Sequence, residues 1–207
     1  MISTTKKFQK TISSTVNFDG VGLHSGVNTS IKLIPAPCDF GIQFSYNGCL
    51  ISASVENVDS TVRGTNLKKN DITIMTVEHL MSALYALEID NLKIEINNIE
   101  VPILDGTSNI FLKAIQKVGI KEQEKYCKEF VVNQIISFKS SKGIQFHLIP
   151  SNDYKFTYHL EYKNIPILNQ NYSISLKYDN YESAISSCKT FCLLSELLKL
   201  HELNLIK

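Results

Sequence analysis

Arginine is almost absent from this sequence, since Arg63 is the only arginine among its 21 basic residues. Bidentate guanidinium contacts dominate the recognition of phosphate and guanine, so a nucleic-acid-binding face is not expected. Strong charge of one sign is also missing, because 20 acidic residues leave a formal net charge of +1. With 43% apolar and 20% charged residues, the composition is that of an ordinary soluble globular protein and excludes a disordered chain.

The sequence also lacks a paired cysteine framework and a long apolar run. Its five cysteines, an odd number, stand at positions 38, 49, 127, 188 and 192, which favours a reducing, cytoplasmic location. The first ten residues are polar and have no apolar centre of a signal peptide. No stretch approaches the roughly 18 apolar residues of a transmembrane segment, so any relation to a membrane is expected through a substrate or a surface contact.

Hydrophobic periodicity predicts an α+β protein. Alternating residues predict strands near 11–16, 27–34, 41–46 and 92–96, and helical spacing predicts two helices, with Thr76 and Ser108 as plausible N-caps and Gly119 ending the second. After a polar, lysine-rich joint at 121–128 the pattern restarts, with strands near 130–138, 143–149, 156–162 and 172–176 and helical periodicity from Tyr181. We therefore predict two similar sheet-plus-helix domains, residues 1–122 and 128–207.

The second domain is expected to be incomplete. An apolar helix face formed by Leu194, Leu197, Leu198 and Leu203 lies just before Lys207, where the sequence stops. Nothing further along the sequence covers that face, so we expect it to be bare.

The candidate chemistry lies at Glu78 and His79, neighbours in the first turn of the first predicted helix. Adjacent helical residues point about 100° apart, so the pair can take two roles around one metal, one residue binding it and the other acting on water. The dipeptide alone favours a structural interpretation, because an acid in the first turn suits the helix dipole. A zincin site does not fit, because the histidine it needs four residues after His79 is Ala83.

Three other segments carry candidates. The glycine-flanked loop 21–26 could hold His24 at a site, although turn geometry alone would explain its glycines. Asp105 is interpreted as a structural residue in a turn that leads into the second helix. Cys188 and Cys192 could bind a metal, but without a second pair a reduced, buried role is favoured.

Five segments, in one order, resemble the UDP-3-O-acyl-N-acetylglucosamine deacetylase family. They are residues 20–26 (GVGLHSG), 35–37 (PAP), 76–84 (TVEHLMSAL), 89–92 (IDNL) and 102–108 (PILDGTS). Residues 189–191 (KTF) resemble a later Arg-Thr-Phe segment of the family, with lysine in place of arginine. Five matches in one order are far more specific than any one of them, and the resemblance extends from about Lys10 to the last residue.

The resemblance implies a two-domain α+β sandwich whose active site lies between the domains, where Zn2+ activates a water against an acetamide. Glu78 matches the general base and His79 a zinc ligand. Thr190 matches a residue that hydrogen-bonds the tetrahedral intermediate, and Phe191 a substrate contact. The implied substrate is the nucleotide-sugar lipid UDP-3-O-(3-hydroxyacyl)-N-acetylglucosamine of lipid A biosynthesis in Gram-negative bacteria, and the products are acetate and the free amine.

The departure from the family is at the end. The family's other two zinc ligands, a histidine and an aspartate four residues apart, and its general acid lie past the point that Lys207 matches. We therefore expect a C-terminally truncated deacetylase. A cloned fragment, a disrupted gene and a split protein would each leave such a sequence, and in a split protein the missing segment would be supplied elsewhere. A non-catalytic remnant that binds the nucleotide sugar, and an unrelated α+β fold with chance motif matches, are the alternatives.

Overall fold

The computed structural model describes residues 2–162, 165–176 and 180–202. Its strands are β1 (Ile2–Ile12), β2 (Val16–Val21), β3 (Asn28–Pro35), β4 (Ile42–Tyr46), β5 (Cys49–Ser52), β6 (Val58–Ser60), β7 (Asn66–Lys69), β8 (Ile72–Ile74), β9 (Leu92–Ile96), β10 (Ile120–Phe130), β11 (Ile136–Lys139), β12 (Gln145–Leu148), β13 (Lys155–Leu160) and β14 (Gln170–Ser175). Its helices are α1 (Glu78–Ala86), α2 (Asn109–Val118), α3 (Tyr181–Ala184) and α4 (Leu194–Glu202), and short 3-10 turns cover Val55–Asn57 and Pro166–Leu168. The predicted α+β class is confirmed.

A five-stranded sheet in the order β2-β3-β9-β4-β5 is the framework of the first half. Its neighbouring strands are antiparallel except for the parallel pair β4 and β9. Alternate residues of β9 are buried, which is the period-two pattern that the sequence predicted for it. A separate three-stranded sheet, β6-β7-β8, follows β5 and leads directly into α1.

Helices α1 and α2 pack with the five-stranded sheet into a single hydrophobic core. Leu80, Ala83 and Leu84 of α1 and Phe111, Leu112 and Ile115 of α2 are buried in it. The rings of Phe18 in β2 and Phe111 in α2 meet edge to face, with centroids 4.9 Å apart. The predicted end of α2 is confirmed, because Gly119 has φ +84°, which glycine adopts without strain.

The lysine-rich segment 121–128 differs from the prediction, because it belongs to a strand. It forms most of β10, which pairs antiparallel with β1 from Ile12 opposite Ile120 to Ile2 opposite Phe130. Most side chains of β10 are exposed on both faces, so the strand shows no apolar alternation in sequence, and its backbone pairing with β1 defines it. The ribbon crosses the predicted boundary at 122–128, and the division into two domains stays a prediction.

Two predicted strands, 11–16 and 130–138, are wrong because each is interrupted. In the later one, β10 ends at Phe130 and β11 begins only at Ile136. The segment 11–16 is not continuous, since β1 ends at Ile12 and β2 begins at Val16. Between them the Ser13 amide donates to the Gly119 carbonyl at 2.9 Å, which turns the chain over the end of α2.

The second half consists of two antiparallel hairpins, β11-β12 and β13-β14, followed by α3 and α4. The leucines predicted to form an apolar helix face are exposed where the structure describes them, with Leu194 70%, Leu197 41% and Leu198 57% exposed. Leu203 lies outside the described residues. Across the described ranges, none of the helices is long and apolar enough to cross a membrane.

Candidate active site

Glu78 and His79 open helix α1 directly after a strained turn. Thr76 is buried and has φ +58°, a left-handed conformation that is unfavourable for a β-branched residue by about 1–3 kcal/mol. Val77 occupies the N-cap position without a side-chain cap, so the prediction of Thr76 as the N-cap is wrong. The Thr76 hydroxyl is engaged elsewhere, because it donates to Oε1 of Glu100 at 2.8 Å.

Glu100 is a buried carboxylate, 1% exposed, that no pattern in the sequence indicates. A parallel bridge between Met75 and Glu100 places it beside the turn that precedes α1. Its Oε1 also accepts a hydrogen bond from the His24 amide at 3.0 Å, and its Oε2 accepts one from the Ser25 amide at 2.7 Å. One carboxylate therefore joins the loop after β2 to the start of α1.

The environment of Glu100 favours the ionised form of its carboxyl group. Burial opposes its charged form, but hydrogen bonds from Ser25, from the His24 amide and from Thr76 outweigh burial and hold the pKa of Glu100 below its ordinary value of 4.5.

The stability of the fold should therefore depend on pH through Glu100. Since its folded-state pKa is lowered, its contribution is present above about pH 4.5 and is lost as the pH falls through the folded pKa. We expect Glu100→Gln to reduce the free energy of unfolding by about 2 kcal/mol near pH 7 and by less toward about pH 3. Urea unfolding of both proteins across that range is the measurement, and a difference that grows toward acid would contradict the assignment.

The structure of the loop between β2 and β3 shows why Gly22 and Gly26 are glycines. The Gly26 amide donates to the Gly22 carbonyl and the Gly22 amide to the Val27 carbonyl, each at 3.0 Å, which closes the loop, and Gly26 has φ +64°. A Cβ on Gly22 would clash with the Ser25 hydroxyl and with the Glu100 carboxylate. The glycines thus have structural reasons, as turn geometry predicted, and the same loop brings His24 to the site.

Gly22→Ala should be more damaging than Gly26→Ala. The added methyl must displace the buried Glu100 carboxylate, an overpacking that we expect to destabilise the fold by about 1–3 kcal/mol. Alanine at the exposed Gly26 adds mainly left-handed backbone strain, about 1 kcal/mol. Thermal unfolding of the two variants measures the difference, and equal losses would show that Glu100 does not press on this loop.

Residues 63–65, in the loop between β6 and β7, lie between His24 and Glu78. The His24 Nε2 lies 3.1 Å from the Arg63 carbonyl oxygen, and because a carbonyl only accepts, this nitrogen carries the proton. The Thr65 amide donates to Oε2 of Glu78 at 2.9 Å, and the Val77 amide donates to the Thr65 carbonyl at 3.1 Å.

The space beside Gly64 is where the polar groups of the site meet. A Cβ built on Gly64 would lie 3.4 Å from Oε1 of Glu78, 3.6 Å from Oγ1 of Thr76 and 3.8 Å from Nε2 of His24. His79 is half-buried and is not part of the hydrophobic core. The structure therefore assembles Glu78, His24 and Thr76 around one backbone position, with His79 next in sequence.

Thr190 and Phe191 lie on the exposed connection between α3 and α4, and Phe191 is 67% exposed. Among the hydrogen bonds between described residues, none joins either of them to Glu78 or His79. Their predicted roles in the site remain predictions.

Contacts of α3 hold this connection near the first half. The Tyr181 hydroxyl bonds the hydroxyls of Ser82 in α1 and Ser108 before α2, and the Ser108 hydroxyl donates to the carbonyl of the buried Ser186 at 3.2 Å. Ser108 thus occupies the predicted N-cap position of α2 but does not cap it with its side chain.

The structural interpretation of Asp105 is supported. Its Oδ1 accepts hydrogen bonds from the Thr107 amide at 3.0 Å and from the Thr107 hydroxyl at 2.8 Å, which is a side-chain turn at the entrance to α2. The Thr107 hydroxyl holds the pKa of Asp105 below its ordinary value, and the charge of Lys189 acts in the same direction.

The described residues do not bring together a full set of metal donors. A catalytic zinc takes three protein ligands and leaves one position open. Within the part of the chain that the structure describes, no three His, Cys, Asp or Glu side chains gather around one point, so His79 and its neighbours do not form a complete zinc site by themselves. Cys188 and Cys192 are free and exposed, so the predicted buried role of these two cysteines is wrong.

The fold and this site define an α+β protein in which Glu78, Thr76 and His24 converge beside Gly64 at the start of helix α1. The sequence model of the family described as UDP-3-O-acyl N-acetylglycosamine deacetylase (LpxC) matches residues 9–207, and the chain belongs to this family.

Three curated relatives show how much of such a protein the chain covers. It is 35% identical to the UDP-3-O-acyl-N-acetylglucosamine deacetylase of Aliarcobacter butzleri, over 95% of this chain and 66% of the relative. It is 32% identical to the deacetylase of the same name from Solibacter usitatus, over 97% of this chain and 68% of the relative. It is 34% identical to the bifunctional enzyme LpxC/FabZ of Chlorobaculum tepidum, over 96% of this chain and 44% of the relative. The chain thus spans between about half and two thirds of the length of these proteins.

Proposed function

We propose that the protein to which these 207 residues belong is a zinc-dependent amidase that removes acetate from UDP-3-O-(3-hydroxyacyl)-N-acetylglucosamine in lipid A biosynthesis, in the cytoplasm. The observation that carries the proposal is the placement of Glu78. Its carboxylate is fixed by the Thr65 amide, faces the space beside Gly64 together with His24, and adjoins His79 in a segment that resembles the family's active-site helix.

The residues of this chain suit the steps of amide hydrolysis. When bound, zinc polarises an amide carbonyl and makes a water molecule acidic enough to lose its proton near neutral pH. In the proposal His79 supplies one imidazole ligand, and Glu78, one residue away, accepts the proton of the attacking water. Thr190 hydrogen-bonds the tetrahedral intermediate, and Phe191 contacts the substrate. The two further zinc ligands come from residues outside the ranges that the structure describes.

A chimaeric enzyme tests the function. The 207 residues are joined to the third of the Aliarcobacter butzleri deacetylase that lies outside the match. Acetate release from the nucleotide-sugar lipid is then measured with and without a zinc chelator. We expect turnover that chelation abolishes and added zinc restores. A folded chimaera that binds zinc but releases no acetate would contradict the proposal.

A second candidate function is that of a nucleotide-sugar-binding fragment without activity. The lack of three gathered metal donors among the described residues favours this alternative. Calorimetric titration of the 207-residue chain with the intact nucleotide-sugar lipid, set beside the acetate assay of the chimaera, separates the two. Binding together with an inactive chimaera would support the fragment.

A further inference from the structure

Glu100 is the buried ionisable group to which the proposed chemistry assigns no role. A buried carboxylate is costly unless hydrogen bonds satisfy its charge. The fold surrounds Glu100 with donors from two separate segments, the loop at 24–25 and the turn at Thr76. Hydrophobic packing does not require these donors. The arrangement instead connects the loop at 24–25 to the turn at Thr76.

Both segments that Glu100 joins carry side chains of the candidate site. The loop bears His24, whose amide and imidazole are both engaged, the amide by Glu100 and the ring by the Arg63 carbonyl. The turn bears Thr76, two residues before Glu78. Glu100 therefore contacts both the loop that presents His24 and the turn that precedes Glu78.

These hydrogen bonds, together with the short stretches of chain between them, form a closed ring, and its first half runs from Glu100 to Thr65. The Thr76 hydroxyl donates to Glu100, and the next residue, Val77, donates its amide to the Thr65 carbonyl. The Thr65 amide in turn donates to the Glu78 carboxylate. The turn that Glu100 holds is therefore tied to the backbone that fixes Glu78.

The second half of the ring returns from Thr65 to Glu100. Two residues before Thr65, the Arg63 carbonyl accepts from the His24 ring, and the His24 amide donates to Glu100. Removing the Glu100 charge should therefore weaken two hydrogen bonds of the ring, the one from the Thr76 hydroxyl and the one from the His24 amide.

Two local features fit a fold that maintains this ring. Thr76 and Arg63 both have left-handed backbones, with φ +58° and +62°, and strained residues of this kind persist only where surrounding contacts hold them. Gly22 leaves open the volume in which the carboxylate approaches the loop, since a Cβ there would clash with it.

We propose that Glu100 is a positioning residue, which holds the His24 imidazole and the Glu78 carboxylate against the backbone of residues 63–65 by binding the His24 loop and the Thr76 turn together. Its bearing on deacetylation rests on the proposed function, whereas the contacts themselves do not. Nuclear magnetic resonance of the labelled 207-residue chain tests the contacts without substrate or zinc, so a failure of the deacetylase assay and a failure of this inference are distinguishable.

Glu100→Gln keeps the shape of the side chain and removes its charge. We expect the nuclear Overhauser contact between the His24 ring and the Gly64 α-protons to disappear, and the exchange protection of the His24, Ser25 and Thr65 amides to fall at least about tenfold. Protection of core amides in β3 and β9 should exceed that of the loop in both proteins. A folded Glu100→Gln chain that keeps the His24 to Gly64 contact and the Thr65 protection would overturn the inference.

A matched pair at Thr76 keeps the test decisive if Glu100→Gln does not fold. Thr76→Val has the same shape but donates no hydrogen bond, and it should reduce the exchange protection of Thr65 at least about tenfold. Thr76→Ser keeps the donor and should leave that protection within about twofold of the unchanged chain. Equal protection in the valine and serine variants would show that the bond to Glu100 does not position Glu78.

Discussion

Glu78→Ala should slow acetate release by the chimaeric enzyme about 100- to 10,000-fold, the range typical of losing a general base, while its zinc content stays the same. The reason is that the Glu78 carboxylate is fixed by the Thr65 amide and faces the shared space beside Gly64, where it can take a proton without serving as the ligand. The turnover number and the zinc content of the same preparation are the two measurements.

His79→Ala should give the opposite pattern. Loss of the imidazole should lower the affinity for zinc first, and activity should fall with the metal and recover in part when excess zinc is added. Glu124→Ala, which changes an exposed residue of β10, is the control and should change neither quantity. If Glu78→Ala emptied the metal site while His79→Ala left it filled, the two roles would be reversed.

The 207-residue chain by itself should hold almost no zinc after dialysis and should release no acetate. Among the residues that the structure describes, the site offers one candidate ligand, and a metal held by one imidazole and water is little better off than in bulk solvent. Metal analysis of the dialysed chain and an acetate assay check both statements. Near-stoichiometric zinc with measurable turnover would contradict them and would point to ligands that the described contacts do not reveal.

Periodic segments of this fold were predictable from sequence. Helices α1 and α2 carry apolar residues at helical spacing, and Gly119 ends α2 with the left-handed geometry that glycine favours. The strand β9 alternates between buried and half-buried residues, as a sheet packed on one face requires. In each of these elements, packing against the core requires apolar residues at regular positions, and this periodicity is visible in the local sequence.

The strand β10 was not predictable in this way. Its side chains are mostly exposed on both faces, so its sequence shows no alternation, and its partner β1 lies more than about one hundred residues away along the chain. The Thr76 turn was missed for a related reason, because threonine before an acidic helix start is a common cap, and only the distant Glu100 diverts its hydroxyl.

The residues of the candidate site also differ in whether a local segment of sequence indicates them. Glu78 and His79 came from a local segment and its resemblance to a family, whereas Glu100 contacts His24 and Ser25 across 76 and 75 residues of sequence. A single acid between Ile99 and Val101 gives no sign of such contacts. Thr190 and Phe191 came from the resemblance alone, and their roles stay predictions.

Diffraction from crystals of the zinc-loaded chimaera, recorded on both sides of the zinc absorption edge, locates the metal relative to Glu78 and His79. We predict one strong anomalous peak about 2.0–2.1 Å from a ring nitrogen of His79, with the Glu78 carboxylate beside the metal and outside its ligand shell. A catalytic zinc that lies away from His79, or that takes Glu78 as its ligand in place of His79, would contradict this prediction.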